Sequence, residues 1–258
     1  MIIATFNVKS VRARLEILER WLKEIKPDFL FMQETKTQDI SFPEKAFEEM
    51  GYQSFFHGEK SYNGVAVLAP KNFEGIKVSF GFHDGESGEE FKTRVMTLKY
   101  EGLTILNTYV PQGKLIELPD FEVKKKFLVR LKKIIEKEKD NLFLWLGDLN
   151  VAPEEIDVTH PENKKSHVCF CKEIRKIFNN TRAGLVDVLR LFNQKPGVYT
   201  FFDYRVKDAL SRNIGWRIDH MLASKSLAQK AIRCYPDTRL RSWERPSDHV
   251  PLIAVFIL

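Results

Sequence analysis

The feature that most constrains this chain is a run of five apolar residues, Leu142-Phe143-Leu144-Trp145-Leu146, closed by Gly147 and followed by Asp148 and Asn150. A run this short and unbroken suits a strand buried on both faces better than a helix. Pro153 turns the chain soon afterwards. If the strand stays extended, Asp148 and Asn150 project to the same side of its exit. A carboxylate and a carboxamide at the rim of an α/β sheet either line a site or cap the turn, as Asp and Asn often do. The rest of the chain decides between the two.

The same arrangement recurs. Residues 2–6 form a short apolar strand with Asn7 at its exit, and residues 29–32 form another that runs into Gln33-Glu34-Thr35-Lys36. Between them, Leu15, Leu18, Trp21, Leu22 and Ile25 fall at helical spacing over residues 12–25, and Pro27-Asp28 stops that helix. Strands are expected at 63–69 and 77–82, with a loop over the acid- and glycine-rich residues 83–90. Residues 93–100 and 103–110 pair as a hairpin around Glu101-Gly102, with Tyr109 near its end. Residues 121–138 read as a long helix whose apolar face is Phe121, Phe127, Leu128, Leu131, Ile134 and Ile135, and Lys124-Lys125-Lys126 is expected on its solvated face. Helices follow at 170–179 and 184–192, and strands at 199–203, 217–223 and 251–257. With no repeat and no composition break, residues 1–258 read as one domain.

Composition narrows the class. A net charge of +6 points to a polyanionic partner, nucleic acid before a membrane surface. Three cysteines, Cys169, Cys171 and Cys234, give neither a disulfide framework nor a paired zinc pattern, which suggests a reducing, cytoplasmic compartment. No signal peptide is visible, and no stretch approaches the ~20 apolar residues of a membrane-spanning helix. A monomer is expected.

Polar residues thus gather where apolar strands end: Asn7, Glu34, Tyr109, Asp148, Asn150 and the pair Asp248-His249. Asp219 sits within the apolar run of 217–223, where a carboxylate is costly unless paired. Strand ends on one edge of a sheet are where such folds assemble sites. Hard oxygen donors suit Mg²⁺, and His and Asn can neutralise charge developing on a phosphate. No HExxH motif, phosphate-binding glycine loop with Lys-Ser or Lys-Thr, or G-x-S-x-G elbow is present. Metal-assisted phosphoryl hydrolysis is the chemistry these types suit.

Specific stretches then resemble a known family. Residues 27–36, Pro-Asp-Phe-Leu-Phe-Met-Gln-Glu-Thr-Lys, look like the first signature of the exonuclease III family of apurinic/apyrimidinic (AP) endonucleases. Residues 213–219, Asn-Ile-Gly-Trp-Arg-Ile-Asp, running on to Ser224, resemble its late signature. Tyr109-Val110-Pro111, residues 147–153, residues 199–202 and Ser247-Asp248-His249 match as well, in the family's order across the whole chain.

That resemblance implies a four-layer α/β sandwich, two packed mixed β-sheets flanked by helices. It implies Glu34 as the main ligand of Mg²⁺, with Mn²⁺ able to substitute, and Asn7 and Asp248 near the metal or its waters. Asp148 would activate the attacking water. Asn150, Tyr109 and His249 would contact the scissile phosphate, and Asp219 would fix the His249 tautomer. The implied reaction is hydrolysis of double-stranded DNA 5′ to an abasic site, leaving a 3′-hydroxyl, with a 3′-to-5′ exonuclease activity. Phe201, Trp216 and Ile218 stand where the family builds its abasic-sugar pocket. Lys114, Arg205, Lys207 and Arg212 lie in loops placed to meet phosphates.

The chain also departs from the family. Lys9 and Ser10 stand where Asp or Asn and then Gly are usual, and Val188 stands where a hydroxyl residue is expected. Residues 111–121 follow no usual pattern. Lys9 beside the metal site is expected to repel a second divalent ion and hold a DNA phosphate. Two other readings remain open at this point: another phosphodiesterase or phosphatase of the wider superfamily, and a DNA-binding protein that Lys9 has disabled.

Overall fold

A computed structural model describes residues 1–82 and 91–258; the loop expected over 83–90 lies outside the described residues. In chain order the elements begin with β1 (Ile2–Asn7), α1 (Leu15–Ile25), β2 (Phe29–Gln33), α2 (Glu44–Glu49), β3 (Tyr52–Glu59) and β4 (Tyr62–Pro70). Then come β5 (Lys77–Phe80), β6 (Val95–Tyr100), β7 (Leu103–Tyr109), α3 (Pro119–Glu138), β8 (Leu142–Asp148) and α4 (Lys172–Thr181). The chain finishes with β9 (Val186–Asp187), α5 (Val188–Phe192), β10 (Asp219–Ala223), α6 (Lys225–Ala228), β11 (Ala231–Pro236) and β12 (Leu252–Phe256).

Among the described residues these strands make two six-stranded sheets, ordered β11-β12-β1-β2-β4-β3 and β5-β6-β7-β8-β10-β9. Each is mixed: β1 runs parallel to β2 and β7 parallel to β8, while their outer neighbours run antiparallel. The sheets face each other. Ile3, Phe29, Phe31, Val65 and Val67 of the first meet Met96, Ile105, Leu144, Leu146 and Met221 of the second in one buried cluster. The opposite face of the first sheet carries Ala4, Phe6, Leu30 and Met32 against Leu18, Trp21 and Leu22 of α1 and Phe47 of α2. The opposite face of the second packs Phe143 and Trp145 against Phe127, Leu128 and Leu131 of α3 and Ile174 and Phe178 of α4. Strands buried on both faces explain the unbroken apolar runs of β2 and β8. The architecture is the expected four-layer α/β sandwich.

Local chemistry sets the boundaries. α1 ends at Lys26, whose left-handed backbone (φ +50°) lets its N–H donate to Leu22 O at 2.9 Å before Pro27 forbids another turn. Pro119 opens α3, where its missing N–H would have had no partner. Gly147 lies at φ +131°, and a Cβ there would sit 2.1 Å from Thr108 O, so only glycine lets β8 lie against β7.

Several expectations are corrected. Residues 199–203 form no strand in either sheet; Phe201 makes single bridges to Trp216 and His249. β10 starts at Asp219 and not at Arg217, because Arg217 N–H donates to Asp157 O at 2.7 Å and pulls that stretch off the sheet. The expected helix at 184–192 is β9 followed by the short α5, which starts where Asp187 accepts from Arg190 N–H at 3.4 Å. Lys124 is not on a solvated face: it is fully buried. No described helix is long and apolar enough to cross a membrane.

Candidate active site

Strand direction assembles the site. The two parallel pairs deliver their C-terminal ends to one edge, which places Asn7 beside Gln33 and Tyr109 beside Asp148. β10 is antiparallel to β8, so its first residue, Asp219, lies opposite Asp148. β12 is antiparallel to β1, which brings Asp248 and His249, just ahead of it, to the same edge. Asn7 Nδ2 donates to Glu34 Oε1 and to Asp148 Oδ2, each at 2.9 Å, and the second bond crosses from one sheet to the other. Beneath it, Gln33 Nε2 donates to Asn107 Oδ1 at 2.7 Å, again between sheets.

Asp148 uses both oxygens. Oδ1 accepts Asn150 N–H at 3.1 Å, and Oδ2 lies 3.8 Å from His249 Nε2. Asn150 has a left-handed backbone (φ +50°), so the strand has already turned there, and its side chain donates to Val110 O at 2.9 Å. The turn-capping and site-lining readings of this pair therefore both hold. His249 Nδ1 is 2.8 Å from Asp219 Oδ2. Burial opposes a charged imidazole, but the Asp219 and Asp148 carboxylates outweigh it and push His249 up to about 10. Burial, aided by the Asp219 charge, raises Asp148 to about 7, against the pull of His249. For Glu34 burial acts upward, yet hydrogen bonds from Lys36 and Asn7 hold it below its ordinary value. Lys36 Nζ is 2.7 Å from Glu34 Oε2. Burial, with Glu34 and Asp148 nearby, keeps the Tyr109 phenol protonated well above its usual range.

These groups open into a cleft of about 480 Å³ lined by Glu34, Tyr109, Asp148, Asn150, Asp248 and His249 on its polar side. Phe201, Trp216 and Ile218 form an apolar wall, held because Trp216 bridges both Phe201 and Val158. The Phe201 ring lies 4.9 Å from that of His249, so the wall adjoins the polar groups. Lys9 and Arg205 also line the cleft, Arg205 paired with Asp203 at 2.7 Å. Lys114, Lys207 and Arg212 are exposed outside the lining; Lys114 pairs with Asp120 at 2.8 Å, and Arg212 donates to Lys207 O at 3.2 Å.

Sequence reasoning misses several residues here. Gln112 and Tyr204 line the cleft beside residues that the sequence does single out, so their neighbours are the signal. His167 packs on Trp216 with ring centroids 4.6 Å apart, and nothing in its local sequence marks it. Lys124 reaches up from α3 and donates to the carbonyls of Asn150 and Val168, each at 2.7 Å, and Gln112, at 3.0 Å. It thereby ties three rim loops to one helix.

The donor set fits a hard divalent cation. One oxygen of Asp219 and one of Asp248 are buried without a hydrogen-bond partner, and carboxylates so placed favour a cation. Asp148, Asp219 and His249 offer ligand atoms within 4.8 Å of one another. Asp219 is engaged with His249 and Asp248 with Lys9, so the carboxylates of Glu34 and Asp148 are the better donors. Asn7 turns N–H groups toward two of these carboxylates, while its Oδ1 accepts Lys9 N–H at 3.1 Å. It orients ligands more than it offers an oxygen.

Comparison with known proteins agrees with this geometry. Residues 4–249 match the model of the endonuclease/exonuclease/phosphatase family. The chain is 33% identical to exodeoxyribonuclease III of Haemophilus influenzae, over 98% of each. Among solved structures it superposes on an AP endonuclease from Archaeoglobus fulgidus with a TM-score of 0.94 and 44% identity, covering 100% of both chains. A 3′ phosphatase from Neisseria bound to a product DNA hairpin matches with a TM-score of 0.91 and 30% identity, again over 100% of both. Fold, polar edge and sequence lead to one assignment: the chain belongs to the endonuclease/exonuclease/phosphatase family, in its exonuclease III branch.

Proposed function

We propose that this hydrolase cuts double-stranded DNA at the phosphodiester 5′ to an abasic nucleotide, leaving a 3′-hydroxyl, and removes 3′-terminal nucleotides at the same cleft. The observation that carries this reading is the contact of a buried carboxylate–imidazole group with an apolar wall of Phe201, Trp216 and Ile218. An extruded sugar without a base is small and partly apolar, and such a wall admits it while leaving no polar partners for a base edge.

Glu34 and Asp148 are the residues that would hold Mg²⁺, with Asn7 orienting both and Asp248, paired with Lys9, beside them. The bound ion supplies charge neutralisation at the phosphate and a lowered pKa for ligated water. Asp148, whose Oδ2 faces Asn7 and His249, takes the proton of the attacking water. The water oxygen bonds to phosphorus, the bond to the upstream 3′ oxygen breaks, and that oxygen takes a proton from solvent to become the 3′-hydroxyl. His249, held by Asp219 through Nδ1, presents a charged Nε2–H to the phosphate. Tyr109 and Asn150 complete the set of donors facing the phosphate. Lys114, Arg205, Lys207 and Arg212 meet the flanking backbone.

A panel of labelled duplexes (abasic, uracil-containing, mismatched and blunt) with Mg²⁺ tests the assignment. Wild-type protein should nick the abasic duplex in preference to the others. Trp216→Ala should narrow that preference more than it weakens binding to intact duplex. Equal cleavage of abasic and intact DNA by the wild type would overturn the reading.

A further inference from the structure

Lys9 holds a position with consequences for how many cations the cleft accepts. Its side chain enters the cleft and pairs with Asp248 Oδ2. Asp248 is 4% exposed, and its other carboxylate oxygen has no hydrogen-bond partner. The ammonium lies 4.6 Å from the centre of the Tyr204 ring, whose hydroxyl is anchored by Arg14 at 3.2 Å. The backbone fixes the approach. Lys9 is left-handed (φ +46°), its N–H donates to Asn7 Oδ1 at 3.1 Å, and Ser10 N–H donates to Glu34 O at 2.7 Å. Lys9 is thus tied to the residues around Glu34 and Asp148 while its charge is directed at Asp248.

We propose that the Lys9 ammonium stands in for a second divalent cation, so that the cleft binds one metal ion, on the side of Glu34 and Asp148. An ammonium touching Asp248 Oδ2 neutralises that carboxylate and repels any cation approaching it, and the low dielectric of a half-enclosed cleft strengthens both effects. A divalent ion at Asp248 would have to displace a charge that the Tyr204 face and the turned backbone hold in place. Lys9 is a positioning residue in this account: it sets the charge and occupancy of the site. The proposal rests on the cleft being a divalent-metal nuclease site.

The test counts ions without DNA. Mn²⁺ alone is titrated into the full chain, and free Mn²⁺ is followed by electron paramagnetic resonance. The wild type should bind one ion. Lys9→Gln should bind a second, and Lys9→Arg, which keeps the charge, should stay at one. Adding Asp248→Asn to Lys9→Gln should remove the second ion again. Two ions or none in the wild type, one ion in Lys9→Gln, or a second ion that survives Asp248→Asn would each overturn the proposal. Nicking of abasic duplex by the wild type is scored separately. A protein that binds one ion and leaves that duplex intact upholds the single-ion site and sinks the assigned reaction.

Discussion

Asp148 does two jobs with two oxygens, and that division governs what its substitution will do. Oδ1 caps the turn by accepting Asn150 N–H, whereas Oδ2 faces Asn7 and His249. Asp148→Asn can keep the cap through its amide oxygen while losing the base. Single-turnover cleavage should fall by at least ~10²-fold, the lower range for a general base, with DNA affinity and thermal stability nearly unchanged. Normal cleavage by Asp148→Asn would show that another group takes the proton. Lys124 illustrates the opposite case, a charge with no part in the chemistry. Burial holds its pKa below that of an ordinary lysine, and its N–H groups are spent on carbonyls of the loops that carry Gln112, Asn150 and Val168.

At the scale of elements, a buried ion cluster supports the cleft wall. Arg217 sits between Asp157 and Asp187, at 2.6 and 2.7 Å, and follows Trp216 directly. The same guanidinium donates to His220 Nδ1 at 3.0 Å, so His220 is neutral with its proton on Nε2, which donates to Val151 O at 2.8 Å. Burial, then the Arg217 charge, depresses His220 to about 3 from 6.5. A histidine depressed in the folded state contributes stability above pH 6.5 and loses it as pH falls toward 3, because only the unfolded chain takes up that proton. His220→Gln should therefore be destabilised at pH 7, and its gap to wild type should shrink by about 1.4 kcal/mol per pH unit below 6.5. Urea unfolding at several pH values measures this; a constant gap would mean that His220 titrates alike in both states. This cluster also marks how far the sequence is legible. The strands β2 and β8 and the polar residues at their ends are readable, because burial on both faces leaves unbroken apolar runs, and β7 is readable from its hairpin with β6. The edge strands β3 and β11 are not, since their half-exposed residues show no such pattern. Nor is the departure of 217–218 from β10, which depends on Asp157, 60 residues earlier.

Over the whole molecule, the net charge of +6 meets the substrate before any single residue does. Affinity for duplex DNA should fall linearly in log–log form with salt. Replacing Lys114, Lys207 and Arg212 together with alanine should flatten that slope by about 0.9 for each phosphate no longer neutralised, while the rate on bound DNA is retained. An unchanged slope would put all three off the DNA path. The hydrogen bond from Asn7 to Asp148 carries a consequence of another kind. Its donor belongs to one sheet and its acceptor to the other, so neither sheet owns the chemistry. Each half could keep its strands and its circular dichroism, yet a small slip of one sheet against the other would leave two inert surfaces. Turnover is in that sense a ruler laid across the seam of the sandwich, and it reports how well the two halves of the chain are docked.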